Sequence, residues 1–288
     1  MVNKNLKLEH KIFLLDGPMG TEIDRRGGDI SLPLWSARSL IDNPDLILEI
    51  HTDYITAGAD IITTNTFRTS QWTLQKAGLS DTKAKELTNF AVTIAKEARH
   101  KTRHCLIAGS IAPLEDCYSP YLVPAEPILQ TEHPKLISDL AESGIDIFLI
   151  ETMNSFKEAK IAYESTKEYP DIPVIVSFTC DNQGHILSGD SWKNVANFFK
   201  DKVDILSINC SSISGSSQAI KELMDLKVHN WGVYPNFGTL NNQKWTPNKN
   251  SDLIHQTIHE WIKLDPKLVG TCCGAQPGDT KRIQEYLK

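Results

Sequence analysis

The sequence predicts a single-domain (β/α)8 TIM barrel over residues 1–288, and three observations lead to it. Short apolar, β-branched runs alternate with longer amphipathic stretches, the pattern of repeated βα units. Eight such runs occur: Ile12–Leu15, Asp60–Thr66, Cys105–Ser110, Ile145–Ile150, Val174–Thr179, Ile205–Asn209, Gly232–Pro235 and Leu268–Thr271. No long linker separates them, and 288 residues is an ordinary length for one such barrel. A doubly wound open sheet is the competing arrangement. It calls for a glycine-rich phosphate loop after the first strand, and Asp16-Gly17-Pro18-Met19-Gly20 is not G-x-G-x-x-G.

Each run is too short for a buried helix, and several are apolar on both faces, as strands covered by helices should be. The intervening helices carry start signals. Asn43-Pro44 supplies an N-cap and a proline at the first helical position. Ser155-Phe156-Lys157-Glu158 reads as a capping box ahead of Ala159–Tyr169. Ser80, Ser191 and Ser251 are expected to cap three more helices, and the last helix should run from about Gly278 to the C-terminus. Ser211–Ser217 reads as a serine-rich βα loop, and 239–250 as a polar loop that is either a lid or floppy.

Composition narrows the function classes. The 40% hydrophobic and 23% charged residues are those of a globular chain with material for a sizeable core. A formal charge of −6 gives no footprint for nucleic acid or an anionic membrane. No apolar run approaches the roughly 20 residues of a transmembrane helix, and polar Met1–His10 lacks the apolar core of a secretory signal. Six irregularly spaced cysteines do not make a disulfide scaffold. The expected protein is cytoplasmic, with small-molecule partners, no nucleic acid and no membrane; homo-oligomerisation is left open.

In such barrels the active site lies at the C-terminal ends of the strands. Cys210 follows the sixth strand, and Cys272-Cys273, set between Gly270 and Gly274, follow the eighth. Three thiolates suit zinc, and zinc with three protein ligands keeps a fourth position for chemistry. Neighbouring strand residues face opposite ways, so the pair can share an ion only if the backbone leaves strand geometry, which flanking glycines make cheap. The alternatives are a strained vicinal disulfide or two inert thiols. Cys105 should be core, Cys117 lies in a loop, and Cys180 is a lesser contender as ligand. His255 and His259 have a zinc-compatible spacing on one helix. Their helix belongs to the outer ring, where a partly exposed face is the better reading.

Asp16, Thr64, Thr66, Ser110, Glu151 and Asn236 stand at the same rim. Glu151 could accept the ammonium of an amino-acid substrate, the alternative being a buried ion pair; Asp16 reads similarly, or as a turn residue. Trp35, Phe67, Trp72, Tyr118, Tyr121, Trp192, Tyr234, Phe237 and Trp245 fall in or near rim loops. Two or three of them are expected at a ligand, where aromatic faces attract onium groups.

These residues resemble the homocysteine S-methyltransferase family, whose catalytic domain is a zinc-bearing (β/α)8 barrel. The likeness runs through Asp16-Gly17-Pro18-Met19-Gly20-Thr21, Leu34-Trp35-Ser36-Ala37, Thr63-Thr64-Asn65-Thr66-Phe67, Gly109-Ser110, Glu151-Thr152, Asn209-Cys210, Tyr234-Pro235-Asn236 and Cys272-Cys273-Gly274. It implies that Cys210, Cys272 and Cys273 ligate Zn2+, and that Asp16, Gly17, Thr64 and Glu151 hold the amino and carboxylate groups of homocysteine. Trp35 then lies beside the methyl donor. Betaine-using members carry tyrosines where this chain has Arg68 and Thr152, so Arg68 could bind a donor carboxylate or form a rim salt bridge. The implied reaction moves a methyl group from a small onium donor to homocysteine, giving methionine. Betaine, dimethylsulfoniopropionate, S-methylmethionine and S-adenosylmethionine all qualify as donor. The alternatives are methyl delivery by a corrinoid or folate partner protein, and a non-catalytic zinc or ligand-binding barrel.

Overall fold

The first strand, β1 (Phe13–Leu14), pairs in parallel with the last, β10 (Leu268–Val269), and the remaining strands follow around a ring. The described residues of the computed structural model are 11–241, 244–247 and 250–288. Around the ring stand β7 (Trp231–Tyr234), β6 (Ile205–Asn209), β5 (Val174–Phe178), β4 (Ile147–Met153), β3 (Leu106–Ile111) and β2 (Ile61–Thr63), all parallel. A parallel bridge between Leu15 and Ile61 brings β2 back to β1, with Asp16 N–H donating to the Ile61 carbonyl at 3.0 Å. The predicted barrel is present.

Two separate layers of apolar side chains build it. Phe13, Leu15, Ile61, Ala108, Ile147, Leu149, Ile175, Ile205 and Leu268 form one cluster, the barrel interior. Their neighbours of opposite parity, such as Leu14, Ile62, Ile107, Ile150, Val176 and Val233, join a second cluster with the helices. Alternation along a strand sends successive side chains to opposite faces, so strands sandwiched between two layers must be apolar at both. Each fully buried Ile or Leu contributes about 1.5–3 kcal/mol, so a one-residue slip in register is heavily disfavoured.

The helices are α1 (Met19–Arg25), α2 (Ser39–Asp42), α3 (Pro44–Ala57), α4 (Gln71–Lys76), α5 (Asp81–Lys101), α6 (Glu126–Glu142), α7 (Phe156–Thr166), α8 (Trp192–Phe199), α9 (Ile213–Asp225), α10 (Ser251–Ile262) and α11 (Pro277–Tyr286). Asn43, Ser80 and Ser191 cap α3, α5 and α8 through their side chains, as predicted. No described helix is long and apolar enough to cross a membrane.

Several expectations are corrected. The 239–250 segment contains an antiparallel hairpin, β8 (Gly238–Asn241) with β9 (Lys244–Pro247), where a polar loop was expected. Residues 242, 243, 248 and 249 of that segment lie outside the described residues. Ser211–Ser217 is mostly the start of α9, capped by Ser212, because serine at the N-cap favours a helix start as well as a loop. Asn250, not Ser251, occupies the N-cap of α10. The box at Ser155 is half formed: Ser155 caps α7, but the Glu158 carboxylate turns inward to the Leu114 N–H at 2.9 Å and His133 at 3.1 Å. His255 is buried and pairs with Asp279 at 2.9 Å, while His259 stacks on Tyr286, so the two do not share an ion. The last helix begins at Pro277, where Gln276 and Asp279 complete a capping box. β2 stops at Thr63 and β10 at Val269, so Thr64, Thr66, Gly270 and Thr271 lie beyond the strand ends in loop geometry.

Candidate active site

Going up the barrel toward the C-terminal ends, the inward-facing series turns from apolar to polar. Ala108 gives way to Ser110, Leu149 to Glu151, Ile175 to Ser177, and Ile205 to Ser207 and Asn209, all buried. Above this layer opens a cavity of about 650 Å³ lined by Asp16, Gly17, Trp35, Thr64, Arg68, Glu151 and the three thiols Cys210, Cys272 and Cys273, among others. Asn236 does not line it; the Asn236 N–H donates to the Ser211 carbonyl at 2.9 Å, and its Oδ1 is buried without a partner. A cleft of similar volume at the other end, around Lys11, Asp60, Arg103 and Gln284, carries none of the predicted site residues.

The thiols converge. The three Sγ atoms lie within 4.8 Å of one another, with Cys210 and Cys273 at 3.7 Å. Cys210 follows β6 with φ 51°, a left-handed conformation that swings its side chain out of strand alternation. The vicinal pair lies beyond the end of β10, outside strand geometry, and only glycine fits the turn that follows at Gly274 (φ 91°): a Cβ would come to 2.5 Å from the Gly238 nitrogen. The Cys273 carbonyl accepts the N–H groups of Phe237 and Gly238, which ties the hairpin base to this turn. Cys180 stands outside the cluster, and burial pushes its thiol up to about 11. Cys105 is core as expected; Cys117 is a buried loop residue that lines the cavity.

Proton affinities in the cluster show what it lacks. Hydrogen bonds from Cys210 and then Cys273 hold the Cys272 thiol well below the usual range. Contact with Cys272 pushes Cys210 well above it, and contact with Cys210, then Cys272, does the same to Cys273. Three coexisting thiolates need a cation between them, and this donor set fits a soft or borderline divalent ion.

Beside the thiols stand two carboxyls. Glu151 Oε1 accepts from Ser110 Oγ at 2.5 Å and Oε2 from Tyr234 Oη at 3.4 Å. Burial raises its pKa to about 7. Asp16 accepts from Thr63 N–H and Thr63 Oγ1 at 2.8 and 2.9 Å, and burial raises it too. Gly17 has no room for a side chain, since a Cβ would meet the Tyr54 ring at 2.5 Å. The Thr64 hydroxyl, 2.8 Å from that of Thr66, also accepts the Ser110 N–H, so it buttresses β3 as well as lining the cavity.

Five of the nine rim aromatics line the cavity: Trp35, Phe67, Tyr118, Tyr234 and Trp245. Trp35 and Phe67 meet edge to face at 5.5 Å. Trp192 is packed in the core with its indole N–H on the Gly184 carbonyl, Phe237 packs against His255, Trp72 donates to Glu115, and Tyr121 faces solvent. Arg68 lies over the Phe67 ring, donates to the Glu115 carbonyl at 3.2 Å, and forms no salt bridge among the described residues.

One connection has only a faint mark in sequence. Thr152 has φ 57°, unusual for a β-branched residue, at a register shift in β4. The buried Asn209 carboxamide holds it there: its Oδ1 accepts from Thr152 N–H at 2.9 Å and Ser177 Oγ at 2.8 Å, and its Nδ2 donates to Thr152 Oγ1 at 2.7 Å. Asn209 thus joins the residue after Glu151 to the residue before Cys210. The non-glycine residues with positive φ include Trp35, Thr152 and Cys210, all at the cavity, so backbone strain concentrates where the site is assembled.

Comparison with known proteins agrees with this geometry. The homocysteine S-methyltransferase family model matches residues 13–287. Homocysteine S-methyltransferase YbgG of Bacillus subtilis is 27% identical, with 97% of this chain and 95% of that protein aligned. A selenocysteine methyltransferase of Astragalus bisulcatus is 28% identical over 95% and 92% of the two chains. The metallated crystal structure of the homocysteine methyltransferase MmuM from Escherichia coli superposes with a TM-score of 0.83 at 28% identity, covering 96% of each chain. The protein is therefore a methyltransferase enzyme and belongs to the homocysteine S-methyltransferase family.

Proposed function

We propose that the protein transfers a methyl group from a small onium donor to the sulfur of homocysteine, with Zn2+ held by Cys210, Cys272 and Cys273. The observation that carries this reading is the convergence of three thiols within 4.8 Å on a cavity that also presents Glu151, Asp16 and Arg68. Three thiolates leave one coordination position free for a substrate. When bound, the ion supplies what the protein lacks, a charge that keeps the substrate sulfur deprotonated and nucleophilic at neutral pH.

The chain's own residues bind and orient. Glu151 and Asp16, both hydrogen-bonded and buried, accept the substrate ammonium; its charge favours their ionised forms, which burial alone disfavours. Gly17 lets the substrate approach the backbone, and Thr64 lines the same wall. Trp35 and Phe67 offer ring edges and faces to the onium group, and Arg68 meets a carboxylate on the donor. Holding the sulfur and the methyl group in line supplies much of the rate advantage, with no general base needed in the transfer itself. Zwitterionic donors such as betaine, dimethylsulfoniopropionate or S-methylmethionine suit this arrangement.

The test is methionine formation, followed by mass spectrometry, from homocysteine and each donor with purified enzyme and no protein partner. Turnover with a small onium donor alone excludes dependence on a corrinoid or folate partner. A Cys210→Ala or Cys273→Ala enzyme that keeps both zinc and full activity overturns the assignment of the thiols.

A further inference from the structure

The Tyr118 hydroxyl lies 3.0 Å from Cys210 Sγ and 3.4 Å from the Cys210 carbonyl oxygen. It comes from the loop between β3 and α6, remote in sequence from the thiols. That loop is pinned firmly. Leu114 N–H donates to buried Glu158, Asn154 Nδ2 to the Asp116 carbonyl at 3.3 Å, and Arg68 to the Glu115 carbonyl. The Glu115 carboxylate accepts the Trp72 indole N–H at 2.7 Å. Tyr118 N–H donates to Asp116 Oδ1 at 3.2 Å. The phenol is therefore held against one thiol by its own loop.

We propose that Tyr118 is a positioning residue that marks Cys210 as a ligand and keeps it from acting as a nucleophile. This rests on the reading that the three thiols hold a metal ion. A metal-bound thiolate can only accept, so the phenol donates to it, and a charge-assisted hydrogen bond occupies a sulfur lone pair. The need arises from the chemistry. An onium donor near several electron-rich sulfurs can methylate any that faces it: the S–CH3 bond forms at that sulfur, the onium C–S or C–N bond breaks, and its electron pair leaves with the sulfide or amine. On Cys210 this would leave a thioether and spoil the site. The phenol lowers the nucleophilicity of Cys210, the thiol it touches.

The experiment uses the zinc-loaded full chain, with metal content measured first, and iodoacetamide as probe in the absence of homocysteine. Tyr118→Phe keeps the ring and removes the hydroxyl. Cys210 labelling, located by peptide mass spectrometry, should accelerate about tenfold, the factor such a hydrogen bond represents, while Cys272 and Cys273 keep their wild-type rates. An unchanged Cys210 rate overturns the proposal. So does a parallel rise at all three cysteines, which would mark an opened cavity or lost metal. Wild-type protein that binds no zinc fails the reading of the site itself, before the variant is compared.

Discussion

Replacing Asn209 with alanine tests whether the two halves of the site are built as one unit. The carboxamide is fully buried and makes three hydrogen bonds of 2.7–2.9 Å, two of them to Thr152. Alanine would leave the Thr152 N–H in a dry interior, a cost of about 1–3 kcal/mol. It would also strand the Thr152 and Ser177 hydroxyls, while freeing a β-branched residue from φ 57°, so part of that conformation's cost of about 1–3 kcal/mol is recovered. A loss of about 3–5 kcal/mol in urea unfolding is expected, large against a domain total of about 5–15 kcal/mol. The backbone after Glu151 and before Cys210 should relax together, so the KM for homocysteine should rise and zinc affinity should fall in the same variant. Thr152→Gly removes the strain, and the double variant should then fall short of the summed single losses by about 1 kcal/mol. A loss below 1 kcal/mol, or a normal KM with weakened zinc, would refute the coupling.

The other perturbations address single groups. Glu151 has its pKa raised to about 7 from the usual 4.5, so the fold favours its protonated form; this contribution is full below about 4.5 and is lost as pH rises to about 7. Wild-type metal-free protein should therefore lose about 3 kcal/mol relative to Glu151→Gln between pH 4.5 and pH 8, measured by denaturant unfolding. The same variant should bind homocysteine about 10–100-fold more weakly by calorimetry at pH 8, and equal affinity would remove Glu151 from the site. Arg68→Ala should raise the KM for carboxylate-bearing donors about tenfold with kcat little changed; a rise confined to the KM for homocysteine would reassign the guanidinium to that substrate. Gly274→Ala forces a Cβ into the Gly238 backbone at φ 91° and should cost more than 2 kcal/mol and zinc binding with it, while full metal content would show that the turn tolerates a side chain.

The barrel and its thiols could be read in the sequence because each leaves a local mark. Doubly apolar runs such as Ile147–Ile150 announce strands between two layers, and Cys210, Cys272 and Cys273 stand directly after such runs. What escaped depends on where a side chain points once the fold is made. Glu158 has the position of a capping-box acid, yet it turns to the Leu114 N–H because that loop passes beside it. His255 sits on an outer helix but is covered by Phe237 and Asp279 from elements on either side. The hairpin at Gly238–Pro247 was hidden by its polar composition; what seats its base is contact with Gly274, a residue distant in sequence. Asn209 was visible only as part of an Asn-Cys run, and its bonds to Thr152 require the β4 and β6 ends to be adjacent.

The charge balance of the cavity gives a reason for its composition. Asp16, Asp24, Asp29, Asp116, Glu151 and the three thiols line it, and among the described residues Arg68 is the one cationic side chain that does. Such a surface favours cations, and the proposed reaction brings three: a metal ion, an ammonium and an onium group. Methyl transfer cancels two charges at once, because the onium centre becomes a neutral sulfide or amine while the thiolate becomes a neutral thioether. The proposed attraction of Trp35 and Phe67 for the donor, about 0.5–2 kcal/mol for a cation over a ring, would vanish in the same step. A donor carboxylate on Arg68, as proposed, would be unchanged by the reaction, so that contact would act equally on donor and product and belong to selection rather than to rate. A fully demethylated donor analogue that bound as tightly as the donor itself would contradict this division of labour, and competition calorimetry on the zinc-loaded enzyme would reveal it.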